Sequence, residues 1–166
     1  VQTCALPISI GGGWGAADVG GAYSLHAGGA DYSVNGGAGA MMLGAAGTTR
    51  LAWLNDAATT DTRFSFGVRA SQMATGGGYY ASMVARRIDG ANLYLTKLRF
   101  DQSGKVYLQL SRIAGGAEAL LAGEVQAPGV AYTPNALLWV RGEVVGTAPT
   151  TLRLKVWAEG TSEPTA

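Results

Sequence analysis

Two stretches near the C-terminus carry the side chains best suited to holding a ligand. In "LLWVRGEV", Trp139, Arg141 and Glu143 recur at every second position, and in "LRLKVW", Arg153, Lys155 and Trp157 do the same. Alternate side chains of an extended strand share a face, so each stretch would present an indole beside cationic donors. An aromatic face can stack on the C–H side of a pyranose ring while planar donors reach its hydroxyls. The chemistry on offer is sugar binding. "YYASMVARRI" holds a similar set, Tyr79 or Tyr80 with Arg86 or Arg87, and Tyr94 and Tyr107 add two more rings. Trp139, Arg141, Arg153, Trp157, Tyr79, Arg87 and Tyr94 are therefore the candidate ligand-binding residues. The alternative is that these are ordinary outward faces, with Arg and Lys stems covering the sheet and Trp rings filling its edges. Trp14, set among glycines, is expected to plug one end of the fold.

Catalysis has no comparable set. Glycoside hydrolysis needs two carboxylates facing the sugar, one to protonate the leaving oxygen and one to attack. On a strand that means acids at alternate positions. The eleven acids are Asp18, Asp31, Asp56, Asp61, Asp89, Asp101, Glu118, Glu124, Glu143, Glu159 and Glu163, and no two lie two residues apart. The nearest pairs, Asp56/Asp61 and Glu159/Glu163, fall at turns. The single His26 lies in "SLHAGG" with no Gly-x-Ser-x-Gly elbow in the chain, so it reads as a strand-end residue rather than a catalytic base. Zinc would need several His or Cys ligands. No enzyme is expected, and no cofactor is assigned. Calcium is the one metal left open: Asp18, Asp31 and Asn35 fall together in the opening region, and Asp56 and Asp61 flank one loop. Turn-forming Asp and Asn serve equally well without a metal. "GGGWG" and "TGGGYY" lack both a Lys-Ser/Thr and a following helix, so they are turns rather than phosphate loops.

The elements that would position these residues are strands. Apolar residues make up 48% of the 166-residue chain and 26 glycines supply turns, which suits one β-sandwich. A net charge of +1 gives no electrostatic case for nucleic acid, and no apolar run approaches the roughly 20 residues that cross a bilayer as a helix. "DTRFSFGVRA" alternates most clearly, with Phe64, Phe66 and Val68 facing one way and Arg63, Ser65 and Arg69 the other. In "KVYLQLSRI", Val106, Leu108 and Leu110 alternate with Lys105, Tyr107 and Gln109. Asn35-Gly36 and Asp89-Gly90 signal hairpins, and "GAEALLAGEV", bracketed by glycines, is read as a strand. About ten strands with glycine turns predict an all-β fold of two packed antiparallel sheets. No internal repeat or linker interrupts it.

The first nine residues stand apart. Val1–Ser9 holds the only cysteine, Cys4, and the first of five prolines, Pro7. Its first eight residues match one reading frame of a common sequencing adapter, GTTCAGACGTGTGCTCTTCCGATCT, whose last base permits Ser9. The expectation is that residues 1–9 are an adapter artefact and residues 10–166 a single, incomplete β-sandwich domain. On that expectation the native segment has no thiol chemistry, and a missing leader says nothing about location.

Three stretches resemble a known family: "GWGAADVGGAYSL…DYSVNGGAGAMML", "YYASMVARR" and "TLRLKVWAEGTSEP". They are similar to a repeated domain of actinobacterial modular surface proteins, with related copies in phage tail proteins. The resemblance covers nearly all of Gly11–Pro164 and rests on a leading Gly-Trp-Gly-x-x-Asp and a closing Val-Trp-x-x-Gly-x-x-Glu-Pro. It implies a concanavalin A-like jelly roll of the laminin-G and lectin kind, neighbouring modules in a longer chain, and an extracellular, cell-surface or virion-tail location. Family members continue with a Trp and further strands after Glu-Pro, which implies truncation here. Two functions follow as expectations: a non-catalytic module for a polysaccharide or cell-surface glycan, or a structural spacer with no ligand site. Fold alone does not choose between them.

Overall fold

The computed structural model describes residues 9–165. Cys4, Pro7 and the adapter match, apart from Ser9, lie outside the described residues. The fold is all-β, with every strand pairing antiparallel. Two compact units share the chain, one ending at Ala58 and the other beginning at Thr59.

In the first unit, β1 (Ser9–Gly11), β3 (Tyr32–Asn35) and β4 (Ala38–Met41) form one sheet, and β2 (Ser24–Leu25) pairs with β5 (Ala52–Trp53). Asn35 pairs with Ala38, so the tight turn is Gly36-Gly37, both at positive φ, one residue beyond the expected Asn35-Gly36. Tyr32 is the hub of this unit. It is buried, and its hydroxyl accepts a hydrogen bond from Leu51 N at 3.0 Å. Trp14 meets Tyr23 and Tyr32 edge-on at 5.5 and 6.1 Å, and its Nε1 donates to Ala40 O. Its packing is thus internal to the first unit. His26 follows the end of β2, and its backbone N–H donates to Leu51 O.

The second unit holds the two facing sheets. One contains β7 (Tyr79–Asp89), β8 (Asn92–Phe100), β9 (Lys105–Ala114) and β10 (Ala117–Leu120) as successive hairpins, with β11 (Val125–Ala131) also on β9. The other is β6 (Thr62–Val68), β12 (Leu138–Val145) and β13 (Thr151–Ala158), with β12 in the middle. Leu98, Phe100 and Val106 from the first pack with Leu138, Val140 and Val156 from the second, and Tyr132 joins them edge-on to Phe100 at 4.8 Å. The expected sandwich over residues 10–166 thus has its facing sheets drawn entirely from residues beyond 59.

β6 alternates between half-buried and exposed along its whole length, as the sequence predicts. β9 does not. Gln109 and Ser111 are buried on the face away from the core, although Gln109 is expected outside. Lys97 stands beside Gln109 on β8, and Gln109 donates to Glu124, so neighbouring side chains cover it.

Arg86 joins the two sheets. It comes from β7, its side chain is only 13% exposed, and its guanidinium reaches both ends of the opposite sheet's connections. Nε donates to Thr60 O at 2.8 Å, and Nη1 donates to Gly146 O at 2.9 Å and Thr150 Oγ1 at 3.2 Å. Asp61 Oδ1 accepts from Gly146 N at 3.0 Å and lies 3.4 Å from Arg86 Nη2. The segment entering β6 and the β12–β13 turn are therefore held by one side chain.

Two expectations follow. Arg86→Lys keeps the charge but loses the fork that serves both loops, so urea denaturation should show a loss of about 1–3 kcal/mol; a change under about 0.5 kcal/mol would remove Arg86 from this role. Gly142 stands directly opposite Phe64 on the neighbouring strand, where an added Cβ would run into the Phe64 ring. Gly142→Ala should cost about 1–3 kcal/mol by overpacking, whereas Gly90→Ala, with open space around its Cβ, should stay within about 0.5 kcal/mol.

Candidate functional site

The outward face of the β6–β12–β13 sheet gathers most of the predicted ligand residues. β12 pairs with both neighbours in unbroken register. Trp139 stands opposite Trp157 on one side and Gly67 on the other; Arg141 stands between Lys155 and Ser65; Glu143 stands between Arg153 and Arg63. The two triplets read from separate stretches of sequence thus become adjacent columns of one surface. Directly opposed Cβ atoms lie about 4.5–5.5 Å apart, so Trp139 and Trp157 are immediate neighbours in the sheet. Trp139 is 37% exposed and Trp157 half-buried. A Cβ on Gly67 would sit 3.6 Å from Trp139 Cζ3, so the indole rests against a strand position with no side chain.

The charged rows are built differently from each other. Glu143 lies between Arg63, at 3.1 Å, and Arg153, bonded to its other oxygen. Both arginines reach well into solvent, at 75% and 58% exposed. Hydrogen bonds first from Arg153 and then from Arg63 hold the Glu143 carboxyl below the usual carboxylate range, against an opposing effect of partial burial. The Arg141–Lys155 row has no acid on the strands. Glu163, from the tail after β13, supplies one: it lies 2.8 Å from Arg141 Nη1 and 3.6 Å from Lys155 Nζ. Arg141 Nε donates to Ser65 Oγ at 3.1 Å, and Lys155 Nζ to Pro164 O at 2.9 Å.

The other candidates lie elsewhere. Tyr79 packs against the core, so its ring is not available as a platform. Arg87 is exposed near the end of β7. Tyr94 lines a shallow cleft with Ile88 and Arg112. All three belong to the opposite sheet and are not brought to the Trp139 face. Arg86, the alternative to Arg87, is consumed by the loops it holds. Tyr80 and Tyr107 lie on the outer face of that opposite sheet, where Lys97 stands over Tyr80 at 5.1 Å and Arg99 over Tyr107 at 4.2 Å. Sequence reasoning placed Arg63 outward but not at the site, and passed over Glu163 because a tail has no periodicity to show where it returns.

Two of the carboxylates considered for calcium, Asp31 and Asp61, are engaged otherwise. Asp31 accepts from Arg50 Nε at 2.7 Å, and Asp61 bonds the Arg86 cluster described above. Among the described residues, no three His, Cys, Asp or Glu side chains come together to hold a metal ion.

Comparison with protein-family models, with curated proteins and with solved structures gives no match.

Glu143 gives a pH test. A carboxyl whose pKa is lower in the folded state contributes its full stability above the unfolded value, about 4.3 for Glu, and loses it as pH falls through the lower folded value. Glu143→Gln should therefore be less stable than wild type at about pH 7, by on the order of 1 kcal/mol or less because both partners are exposed. The gap should close below about pH 4. Urea curves between these pH values measure it, and a gap constant down to about pH 3 would mean the carboxylate charge is not its source.

Proposed function

We propose that this chain is a non-catalytic glycan-binding or adhesion module, and that the Trp139–Trp157 face of the β6–β12–β13 sheet is its binding surface. The observation that carries the reading is the register that sets two indoles side by side with Arg141 and Lys155 in the next row. Rings supply the stacking surface and the cations supply donors for hydroxyls. A non-catalytic role fits the carboxylates on this face. A general acid in glycoside hydrolysis needs a raised pKa, and Glu143 is pushed the other way by Arg153 and Arg63. The family resemblance supports a concanavalin A-like jelly roll as the parent fold and a surface, extracellular or phage-tail setting.

A second reading, a spacer with no ligand site, has one observation in its favour. Each cation of the two charged rows already has a carboxylate partner on the face, Glu143 or Glu163.

Affinity electrophoresis of the chain against bacterial and plant polysaccharides separates the two. Binding should appear as retardation by at least one polysaccharide. It should weaken several-fold in Trp139→Ala and in Trp157→Ala, each checked for an intact fold, because one aromatic contact contributes about 0.5–1.5 kcal/mol beyond burial. A folded wild type that no polysaccharide retards would favour the spacer.

A further inference from the structure

The row next to the two indoles is built as though for an anion. Arg141 and Lys155 are directly opposed in register, and like charges in such positions oppose sheet pairing. Ser65 completes the row on β6, so nothing on the strands neutralises it. Counting the three rows, Arg63, Arg141, Arg153 and Lys155 face one strand carboxylate, Glu143, an excess of three positive charges. Glu163 from the tail lowers the excess to two, and it does so in a telling way: one oxygen lies 2.8 Å from Arg141 Nη1, the other 3.6 Å from Lys155 Nζ. A single planar carboxylate spans both cations.

We infer that Arg141 and Lys155 form a carboxylate clamp, that the ligand of this face is an acidic glycan bearing uronate groups, and that Glu163 occupies the clamp in the free protein. The inference rests on the glycan-binding reading and narrows it to one substrate class. Arg141 is held in place by Ser65, yet 46% of its side chain stays exposed, so a carboxylate from solvent can reach it. The clamp lies two residues along the strand from Trp139 and Trp157, about 6.6–6.8 Å, so a sugar on the rings brings its own or its neighbour's carboxylate within reach. The tail is tied at its root, where Glu159 N donates to Leu137 O and Thr161 donates to Ala158 O. Glu163 and Pro164 meet the clamp beyond that root and can leave it without disturbing β13. Tail and ligand then compete, and the apparent affinity falls by the fraction of molecules whose clamp is occupied.

The test uses the whole chain with polygalacturonate, fully methyl-esterified polygalacturonate, mannan and dextran sulfate in affinity gels. The first two share a backbone and differ only in the free carboxylate. Wild type should bind the free acid at least several-fold more tightly than the ester, and the difference should shrink as salt rises. Glu163→Gln, which removes the competitor's charge, should bind polygalacturonate several-fold more tightly than wild type, and Arg141→Gln should lose the preference for the free acid. Melting curves accompany each variant, Glu163→Ala stands in should Glu163→Gln not fold, and the acid–ester contrast on wild type needs no variant. Equal binding of acid, ester and mannan, abolished by Trp139→Ala, would overturn the clamp and leave glycan binding standing. Binding of dextran sulfate without polygalacturonate would replace carboxylate by sulfate and overturn the assignment. Weaker binding by a folded Glu163→Gln would make the tail part of the site and overturn the competition. No retardation of wild type or Glu163→Gln by any of the four would sink the glycan-binding reading and this inference together.

Discussion

The unbroken register of β12 is the constraint on which the surface depends. Side chains alternate between faces with a period of two, so a slip by one residue against either neighbour would send Trp139, Arg141 and Glu143 into the core and Val140 and Val144 into water. Burial of Leu138, Val140 and Val144 sets which face is inward, and Phe64 against Gly142 fits only when those two positions oppose each other. Arg86 fixes the far end of the same sheet by holding the segment that enters β6 and the turn that joins β12 to β13. A core contact and a loop clamp thus agree on one alignment. The outward rows inherit it without having to specify it.

On that aligned surface, charge is distributed unevenly. Glu143 serves two arginines and is built into the strands, so its row is nearly self-sufficient. The Arg141–Lys155 row depends on Glu163, which comes from outside the sheet. Exposed ion pairs contribute little to stability, commonly under about 1 kcal/mol, so neither row has a strong folding reason to exist. A pair of opposed cations beside two indoles is easier to explain as a surface for something else than as a device for holding strands together.

Much of this was legible in the sequence. The alternation of Phe64, Phe66 and Val68 on β6, and the shared faces of Trp139, Arg141 and Glu143 and of Arg153, Lys155 and Trp157, follow from strand geometry alone. That the two triplets stand opposite each other, Trp against Trp, needs the length and geometry of the β12–β13 turn, which periodicity does not carry. Tyr79 or Tyr80, and Arg86 or Arg87, stay alternatives in the sequence for a related reason. β7 pairs with β8 through register shifts between Val84 and Arg86 and between Arg87 and Asp89, so counting by twos along "YYASMVARRI" assigns the faces wrongly. Gln109 and Ser111 illustrate the other limit: on a central strand, side chains from the neighbouring strands and from the segment before β11 can cover polar residues on the outer face.

The outer face of the opposite sheet shows what a satisfied surface looks like. Arg99 donates to both oxygens of Glu124, with Nε at 2.8 Å, while stacking over Tyr107, and Lys97 lies 2.7 Å from Glu118 and over Tyr80. Lys97 and Arg99 each have their own carboxylate and their own ring, all supplied by the strands of that sheet and the segment leading into β11. Arg99 is held protonated more firmly than usual, first by its bond to Glu124, and Glu124 is held ionised, first by Arg99. For these two cations the matching is one to one, and each covers its ring. On the Trp139 face the strands supply four cations, one carboxylate and two indoles, and the missing charge has to be borrowed from the tail. The same residue types are thus paired one to one around Lys97 and Arg99 and share carboxylates on the Trp139 face, and the difference lies in stoichiometry rather than composition.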